Sequence, residues 1–328
     1  MKTIKQLAAV ALAAALSATF AGPASAAEWP DAKPITLIIP YAAGGFADTR
    51  MRMLGEELGK ELSTTIVVEN KAGAGGVIGT GDLARAKPDG YTIGSGHLAP
   101  LSVNPTLMPK NVRYDVKKDI IPVILVEEAP LILNVNKKVP VQSVAELIAL
   151  AKKDPGSLTF GSSGVGGAHH LSGELFARDA GIKMTHVPYK GGAPAATDLM
   201  AGHIDMMFEM GYAAMPAIQA GKVHPLAVTS SQRLALLPDV PTVAESGLPG
   251  FESYNWQGII VPAGTPKPIV DKLNAAFNRV LQKPEVKKAF DATGGQIVGG
   301  TPEEFAAFIQ SETEKWAALI KSANITVN

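Results

Sequence analysis

The stretch SLTFGSSGVGGAHHLSGELF, residues 157–176, joins a short apolar strand, a glycine-rich loop and an amphipathic segment. Residues 158–160 predict a buried strand, and the four-residue spacing of Leu171 and Leu175 predicts one face of a helix. The same order occurs near the start of the chain, where PITLIIPYAAGG (34–45) predicts a buried strand at 35–39 and a glycine loop that leads into an apolar stripe over 47–58. Strands that alternate with helices are typical of a doubly wound parallel sheet.

Because this unit occurs twice, the sequence predicts two doubly wound α/β domains of similar architecture. Two extended apolar runs, at 122–138 and 251–266, are long enough to cross from one sheet to the other. The first domain is therefore predicted at 27–128 together with 257–328, and the second at 129–256. The C-terminal segment is predicted to be helical and to pack on the first domain, with a capping box of Thr301 and Glu304.

Residues 1–26 have the features of a secretory signal peptide. Lys2 and Lys5 form a charged start, residues 7–20 are apolar, and Ala24-Ser25-Ala26 offers a cleavage site. The apolar run of ~14 residues is shorter than the ~20 that span a bilayer. We therefore expect a periplasmic protein that is cleaved after about Ala26.

The composition of the remaining chain excludes several classes of protein. Removal of Lys2 and Lys5 with the signal peptide leaves 28 basic residues against 30 acidic ones. Such a balance gives no electrostatic basis for binding nucleic acid. The chain has no cysteine, which excludes disulfides, thiol catalysis and thiolate metal sites.

The glycines, serines and histidines of residues 157–176 are compatible with a nucleophile site or a metal site, and the glycines of residues 70–81 with a dinucleotide site. Each of these sites lacks a part. A nucleophile elbow needs glycine where Val165 stands, and the adjacent histidines are too local to be aimed easily at a serine. His170 and Glu174 form half of a zinc site without a matching pair elsewhere. In NKAGAGGVIGTG (70–81) the glycines are in the wrong register for a dinucleotide. No cofactor or metal is therefore expected.

A cradle for an anion agrees better with both glycine loops. Each loop is predicted to open a helix, whose first N–H groups and positive dipole end attract a carboxylate. Both loops follow strands, and ligands of open α/β sheets bind beyond the carboxyl ends of strands. Two such loops that face each other would line one cleft of a hinged, two-lobed binding protein.

Several blocks of sequence carry a resemblance to a known family. They are IIPYAAGGFADTRMR (38–52), VVENKAGAGGVIGTGDLARAKPDGYTIG (67–94), VRYDVKKDIIPV (112–123), AELIALAKKDPGSLTFGSSGVGGAHHLSGELF (145–176), HVPYKGGAPAATDLMAGHIDMMF (186–208), AVTSSQRLALLPDVPTVAESGLPGFESYNWQGIIVPAGTP (227–266) and GTPEEFAAFIQSETEKW (300–316). Over nearly the whole chain after residue 26, the sequence resembles the periplasmic solute receptors of tripartite tricarboxylate transporters, the Bug-type receptors. This resemblance implies a type II periplasmic-binding-protein fold, a carboxylate in the interdomain cleft and delivery to a two-component membrane permease.

The resemblance also implies a set of ligand-binding residues. They are Tyr41, Ala42, Gly44, Gly45, Phe46 and Asp48 of the first loop and Gly161, Ser162, Ser163, Gly164 and Gly166 of the second loop. Further candidates for the cleft are Ser95 and His97, which follow a strand predicted at 91–94, and Tyr189 and Glu209. For Asp48, a purely structural role at the helix start is the alternative. Tyr189 and Lys190 are equally compatible with packing in a turn.

Three positions depart from the family pattern where ligand selectivity should be decided. Gly167 replaces a frequent serine or threonine, and Glu209 stands where aspartate is common. His97 occupies a predicted loop that usually has small or apolar residues. His97 would then either face a carboxylate in its charged form or be a solvated loop residue.

The sequence as a whole predicts a non-enzymatic extracytoplasmic receptor for a small organic carboxylate, which includes dicarboxylates, aromatic acids and amino acids. One alternative is a ligand sensor of the same fold that feeds a signalling receptor. The other is a periplasmic hydrolase that uses Ser162 or Ser163 as its nucleophile.

Overall fold

The computed structural model describes residues 29–327, so the predicted signal peptide lies outside the described residues. The strands are β1 Ile35–Ile39, β2 Ile66–Asn70, β3 Thr92–His97, β4 Ile120–Asn136, β5 Thr159–Ser162, β6 Thr185–Pro188, β7 Met206–Met210, β8 Val223–Val228, β9 Tyr254–Pro262 and β10 Gln296–Gly299. The helices are α1 Phe46–Leu62, α2 Val77–Ala84, α3 Asn104–Leu107, α4 Val116–Asp119, α5 Val144–Lys153, α6 Ala168–Ala180, α7 Gly192–Ala201, α8 Gly211–Gln219, α9 Lys267–Gln282, α10 Pro284–Asp291 and α11 Pro302–Ser322.

The strands form one continuous mixed sheet in the order β2-β1-β3-β9-β4-β7-β5-β6, and β8 and β10 also pair with β4. β1 lies parallel to β2 and β3, and β5 lies parallel to β6 and β7. Antiparallel pairing occurs where β9 meets β3 and β4. The mixed α/β fold with two parallel βαβ units agrees with the predicted class.

The 17-residue strand β4 connects the two halves of the sheet. Its residues from Ile120 to Pro130 pair with β9, whereas Leu131 to Val135 pair with β7. We call the part built on β1–β3, β9, β10, α1–α4 and α9–α11 the first lobe, and the part built on β5–β8 and α5–α8 the second lobe. Both predicted crossover runs thus contain a long strand at the junction, while the domain boundaries themselves stay a prediction.

The first lobe has its core where β1, β4 and β9 pack against helices α1 and α9. Leu37, Met51, Val123, Ile259 and Phe277 are fully buried members of this core. The predicted strand at 35–39 is confirmed to the residue, and helix α1 extends the predicted 47–58 stripe at both ends. Within residues 29–327, no helix is long and apolar enough to cross a lipid bilayer.

The C-terminal helix α11 begins with the predicted capping box. The Thr301 hydroxyl accepts the Glu304 N–H at 3.2 Å, and the Glu304 carboxylate accepts the Thr301 N–H at 2.8 Å. Trp316 of this helix is fully buried and donates from Nε1 to Glu312 at 2.7 Å. The aromatic residues of α11 therefore belong to the core, as the apolar stripe predicts.

Candidate functional site

A cleft of about 630 Å³ lies between the lobes, at the carboxyl ends of β1 and β5. It is lined by Tyr41, Ala42, Ala43, Gly44, Gly45, Phe46, Ala47, Gly75, His97, Leu98, Ala99, Ser163, Gly164, Val165, Gly167, Ala168, His169, Met210 and Asn255. We call residues 41–45 the first glycine loop and residues 161–167 the second glycine loop. The two loops that the sequence singled out thus lie on opposite walls of one cleft.

The predicted site residues fall into two groups by position. Eight lie on the cleft wall: Tyr41, Ala42, Gly44, Gly45, Phe46, His97, Ser163 and Gly164. Seven lie behind this wall: Asp48, Ser95, Gly161, Ser162, Gly166, Tyr189 and Glu209. Their contacts show what each of the second group does in the free protein.

Asp48 braces the first glycine loop from behind. Its carboxylate accepts the Gly44 N–H at 2.8 Å, pairs with Arg52 at 2.9 Å and accepts from the Asn70 amide at 2.8 Å. The same Asn70 amide also donates to the Tyr41 carbonyl oxygen. Burial disfavours the charged form of Asp48, but these hydrogen bonds outweigh it and lower the pKa to about 2. The arrangement agrees with the structural alternative for Asp48.

The second glycine loop depends on two serines with different surroundings. Ser162 is fully buried, and its hydroxyl lies 2.6 Å from His186 Nε2 and accepts the Gly164 N–H at 3.1 Å. Gly164 has φ +123°, a conformation that side chains rarely adopt. Ser163 is half-buried and faces the cleft, so its hydroxyl, unlike that of Ser162, is accessible from the cleft.

His169 is held between Ser163 and Glu209, contrary to the expectation that the histidines of this stretch lack oriented partners. Its Nδ1 lies 2.9 Å from Ser163 Oγ, and its Nε2 lies 3.0 Å from Glu209 Oε1. The expectation is wrong because β7 places Glu209 directly beside the start of α6. Glu209 is only 3% exposed, so it meets the cleft through His169 and not with its own carboxylate.

His170 points away from the cleft and stacks on His186 with ring centroids 3.9 Å apart. Its Nδ1 accepts the N–H of Gly166, the loop residue that lies behind the wall. Burial, with help from the neighbouring His170, lowers the pKa of His186 to about 4, so His186 is neutral. His170 Nε2 lies 3.6 Å from Glu174, and within residues 29–327 no cluster of three side chains suits a metal ion.

His97 is the last residue of β3, whereas the sequence places it in a loop. It is 4% exposed, and its Nε2 lies 2.9 Å from Ser95 Oγ, which also donates to the Ile38 carbonyl oxygen. Tyr41 meets its ring edge to face at 4.9 Å. The expectation of a solvated loop residue is therefore wrong. Burial lowers the pKa of His97 to about 3, so its imidazole is neutral in the free protein, and a charged form facing a bound carboxylate stays a prediction.

Gly161 and Tyr189 pack inside the second lobe. A Cβ atom at Gly161 would collide with the Ile204 side chain, so this glycine permits close packing of β5. The Tyr189 hydroxyl donates to Asp198 at 2.7 Å, which directs the ring toward α7. These contacts agree with the turn-packing alternative for Tyr189, and Lys190 is exposed.

The cleft offers backbone N–H groups where other sites use cationic side chains. Among the described residues that line it, none is lysine or arginine. Gly45 and Gly167 are the N-cap residues of α1 and α6, and no side chain within residues 29–327 caps either helix start. The first N–H groups of both helices are thus free of side-chain partners at the cleft, where the helix dipoles add positive potential.

Sequence reasoning missed several lining residues that come from distant parts of the chain. Asn255 and Met210 form part of the wall at the junction of the lobes, where Asn255 Nδ2 lies 3.4 Å from Met210 Sδ. Gly75 comes from the AGAGG loop (72–76), which was considered from the sequence only as a dinucleotide-binding motif. Asn255 lies within the predicted crossover run 251–266. A residue of a segment that crosses between two domains is expected near their cleft, and this was the signal that the sequence offered.

Phe46 and Tyr212 form the direct aromatic contact between the lobes. Phe46 opens α1 in the first lobe and Tyr212 belongs to α8 in the second. Their rings are nearly parallel, with 6° between the planes and 5.0 Å between the centroids. The stacked pair therefore joins the two lobes beside the cleft.

Two α/β lobes, two connecting strands and a cleft at the strand ends define the class of two-lobed periplasmic binding proteins. A family model described as "Tripartite tricarboxylate transporter family receptor" matches residues 50–325. The chain belongs to this family, which confirms the resemblance found in the sequence.

Individual relatives extend over nearly the whole chain. Protein BugT of Bordetella pertussis is 39% identical over 306 residues, which cover 93% of each protein. The R. palustris protein Rpa4515, solved with adipate, is 34% identical with a TM-score of 0.81, and the match covers 91% of this chain and 99% of that one. MatC from Rhodopseudomonas palustris, solved with bound malate, is 34% identical with a TM-score of 0.76 over 88% of this chain and 99% of that one.

Proposed function

We propose that this chain is an extracytoplasmic receptor that captures a small organic carboxylate in its interdomain cleft and delivers it to a two-component membrane permease. Membership of the receptor family supports this function. The structures of relatives with adipate and with malate support a carboxylate as the ligand. The signal-peptide pattern of residues 1–26 supports export to the periplasm.

The observation that carries the proposal is the pair of helix starts that face one cleft without a side-chain cap. A carboxylate can accept hydrogen bonds from these N–H groups, and each helix end contributes about half a positive charge. Backbone donors do not depend on side-chain identity, so the cradle suits the carboxylate group itself. Other side chains of the wall, such as Met210 and Asn255, then select the rest of the ligand.

Capture requires that the lobes close on the ligand. β4 and β9 are the strands that link the two halves of the sheet, so we propose that closure bends these strands. Phe46 and Tyr212 then supply an apolar contact that favours the closed form.

A thermal-shift screen tests the proposal. The purified mature protein is heated with dicarboxylates that include malate and adipate, with aromatic carboxylates and with amino acids. A ligand at 100 times its Kd should stabilise the fold by ~2.7 kcal/mol, a clear shift in Tm. If no carboxylate in the panel shifts the Tm, the proposal fails.

A charge placed in the cradle tests the position of the site. Ser163→Asp puts a carboxylate on the cleft wall and should weaken carboxylate binding by repulsion. Ser157→Asp is the matched control, because Ser157 is exposed in the same lobe and does not line the cleft. Equal affinities of the two variants would argue against the second glycine loop as part of the site.

A hydrolase is the second candidate, and the contacts of His169 with Ser163 and Glu209 favour it specifically. The serine contacts Nδ1 here, whereas the serine-hydrolase triad uses Nε2 for the nucleophile. Turnover of an ester of a carboxylate, in place of stoichiometric binding, would favour this candidate. A sensor of the same fold would bind the ligand equally well, and its capture by a signalling receptor instead of the permease would distinguish it.

A further inference from the structure

A row of three hydrogen-bonding side chains runs from the interior of the second lobe to the cleft. Glu209 Oε1 lies 3.0 Å from His169 Nε2, and His169 Nδ1 lies 2.9 Å from Ser163 Oγ. Glu209 and His169 are 3% and 4% exposed, whereas Ser163 faces the cleft. The state of the buried pair therefore reaches a ligand through one hydroxyl group.

The surroundings of Glu209 do not compensate a full negative charge. Oε1 also accepts the Met210 N–H at 3.1 Å, while Oε2 is buried without a hydrogen-bond partner within residues 29–327. Among the ion pairs of the described residues, the only partner of Glu209 is His169. An ionised Glu209 beside a neutral imidazole would be an uncompensated buried charge, which is costly.

Three arrangements make the pair neutral overall. The one with the carboxyl proton on Oε2 is disfavoured, because that O–H would be buried without an acceptor among the described residues. The other two put a proton on His169 Nδ1. In the first, Glu209 is ionised and the imidazolium carries protons on both ring nitrogens. In the second, Glu209 is protonated and donates to the bare Nε2, so the single ring proton sits on Nδ1. In either case Nδ1–H donates to Ser163 Oγ and leaves the serine O–H free.

From this geometry we propose that the Glu209–His169 pair holds one shared proton and thereby directs the Ser163 O–H into the cleft as a donor to the ligand carboxylate. The inference rests on the proposed function and adds Glu209 and His169 to the site as positioning residues. Gly167 agrees with it, because a Cβ atom at this position would lie 3.2 Å from Ser163 Oγ and crowd the hydroxyl.

Loss of the shared proton reverses the polarity of Ser163. An ionised Glu209 has no proton to donate, so Nε2 must then keep the ring proton and the bare Nδ1 accepts from Ser163. Ser163 then offers only lone pairs to the cleft, next to a buried negative charge. Above the pH at which the free pair loses its proton, carboxylate affinity should therefore fall about tenfold per pH unit.

Within residues 29–327, few other titratable groups face this pair. Tyr212 of α8 lies near Glu209, and burial raises the pKa of its phenol, so it stays neutral. On α6 the neighbour is His170, whose ring is turned to His186. Across the cleft stand Tyr41 and His97, which burial keeps neutral.

The proton position is measured in the free protein by NMR of ring-labelled histidine at neutral pH. The ring signals of the six histidines are assigned with single His→Gln variants. Where a variant folds poorly, the signal of that histidine is assigned by through-bond experiments on the wild-type protein. We expect a protonated Nδ1 in His169. A bare Nδ1 in the wild-type protein would overturn the inference, whatever the ligand is.

Calorimetry with malate and adipate measures the consequence for binding. Ser163→Ala should weaken binding about tenfold or more, since it removes a hydrogen bond to a charged group. Glu209→Gln is nearly isosteric and has no carboxyl proton to lose, so its affinity should lose the alkaline decline of the wild-type protein. The same decline in both proteins would overturn the inference but leave the receptor function intact. If neither acid nor any other carboxylate binds, the receptor function fails, and the NMR result still decides the proton position.

Discussion

A substitution in the stacked pair of Phe46 and Tyr212 tests whether this contact stabilises the closed form of the two lobes. An aromatic pair contributes ~0.5–1.5 kcal/mol beyond the area that it buries. Tyr212 is 41% exposed, so we expect the lower part of this range, about 0.5–1 kcal/mol. If the stack stabilises the closed form, Tyr212→Leu should weaken carboxylate binding about two- to fivefold.

Titration calorimetry with malate and adipate, together with small-angle scattering, measures this effect. Tyr212→Leu should bind more weakly and should need more ligand to reach the compact form. Tyr212→Phe is the matched control, because it keeps the ring and removes only the hydroxyl. A double-mutant cycle with Phe46→Leu should recover the coupling between the two rings. Wild-type affinity in Tyr212→Leu, or an equal loss in Tyr212→Phe, would refute the role of the stack.

Three further predictions concern stability. Asp48→Asn should lower the free energy of unfolding in urea by about 1–2 kcal/mol at pH 7. It removes a carboxylate whose pKa is lowered from 3.8 to about 2 by contacts that solvent partly screens. An unchanged free energy of unfolding would argue against Asp48 as a brace of the first glycine loop. Stability should decrease as the pH falls below 6.5. The unfolded chain then protonates its histidines, while His97 and His186 of the folded protein stay neutral down to about pH 3 and about pH 4. Tm values that are flat between pH 7 and pH 5 would contradict this. Gly258→Ala should destabilise the fold by about 1–3 kcal/mol, because the new Cβ would lie 2.5 Å from a carbonyl oxygen of β4. Gly45→Ala is the control in the same urea assay and should be tolerated, because its Cβ would lie 3.7 Å from the nearest atom.

The local patterns of this sequence predict most of the fold. The strand at 35–39, the helix after the first glycine loop and the capping box of Thr301 and Glu304 follow from hydrophobic spacing and cap chemistry, which act over a few residues. The end of β3 is harder, because small residues and His97 do not distinguish a strand from a loop. The partner strand β9 decides it, and its pairing with β3 joins residues about 160 positions apart.

The candidate site shows the same limit more strongly. Backbone cradles could be located because glycine loops before helices have a sequence pattern. The contacts of His169 could not be predicted from the sequence. Glu209 lies 40 residues further along the chain, and only the pairing of β7 with β5 brings it beside His169. For His97, burial decides the charge, and burial at this position depends on Tyr41 and on the packing of the first lobe.

A crystal structure of the protein with malate or adipate tests the central claim most directly. The receptor function predicts that a ligand carboxylate lies between the two glycine loops, with its oxygens within hydrogen-bond distance of N–H groups at the starts of both α1 and α6. Ser163 Oγ should contact the same ligand. Ligand bound elsewhere, or bound in the cleft without contact to either helix start, would contradict the account.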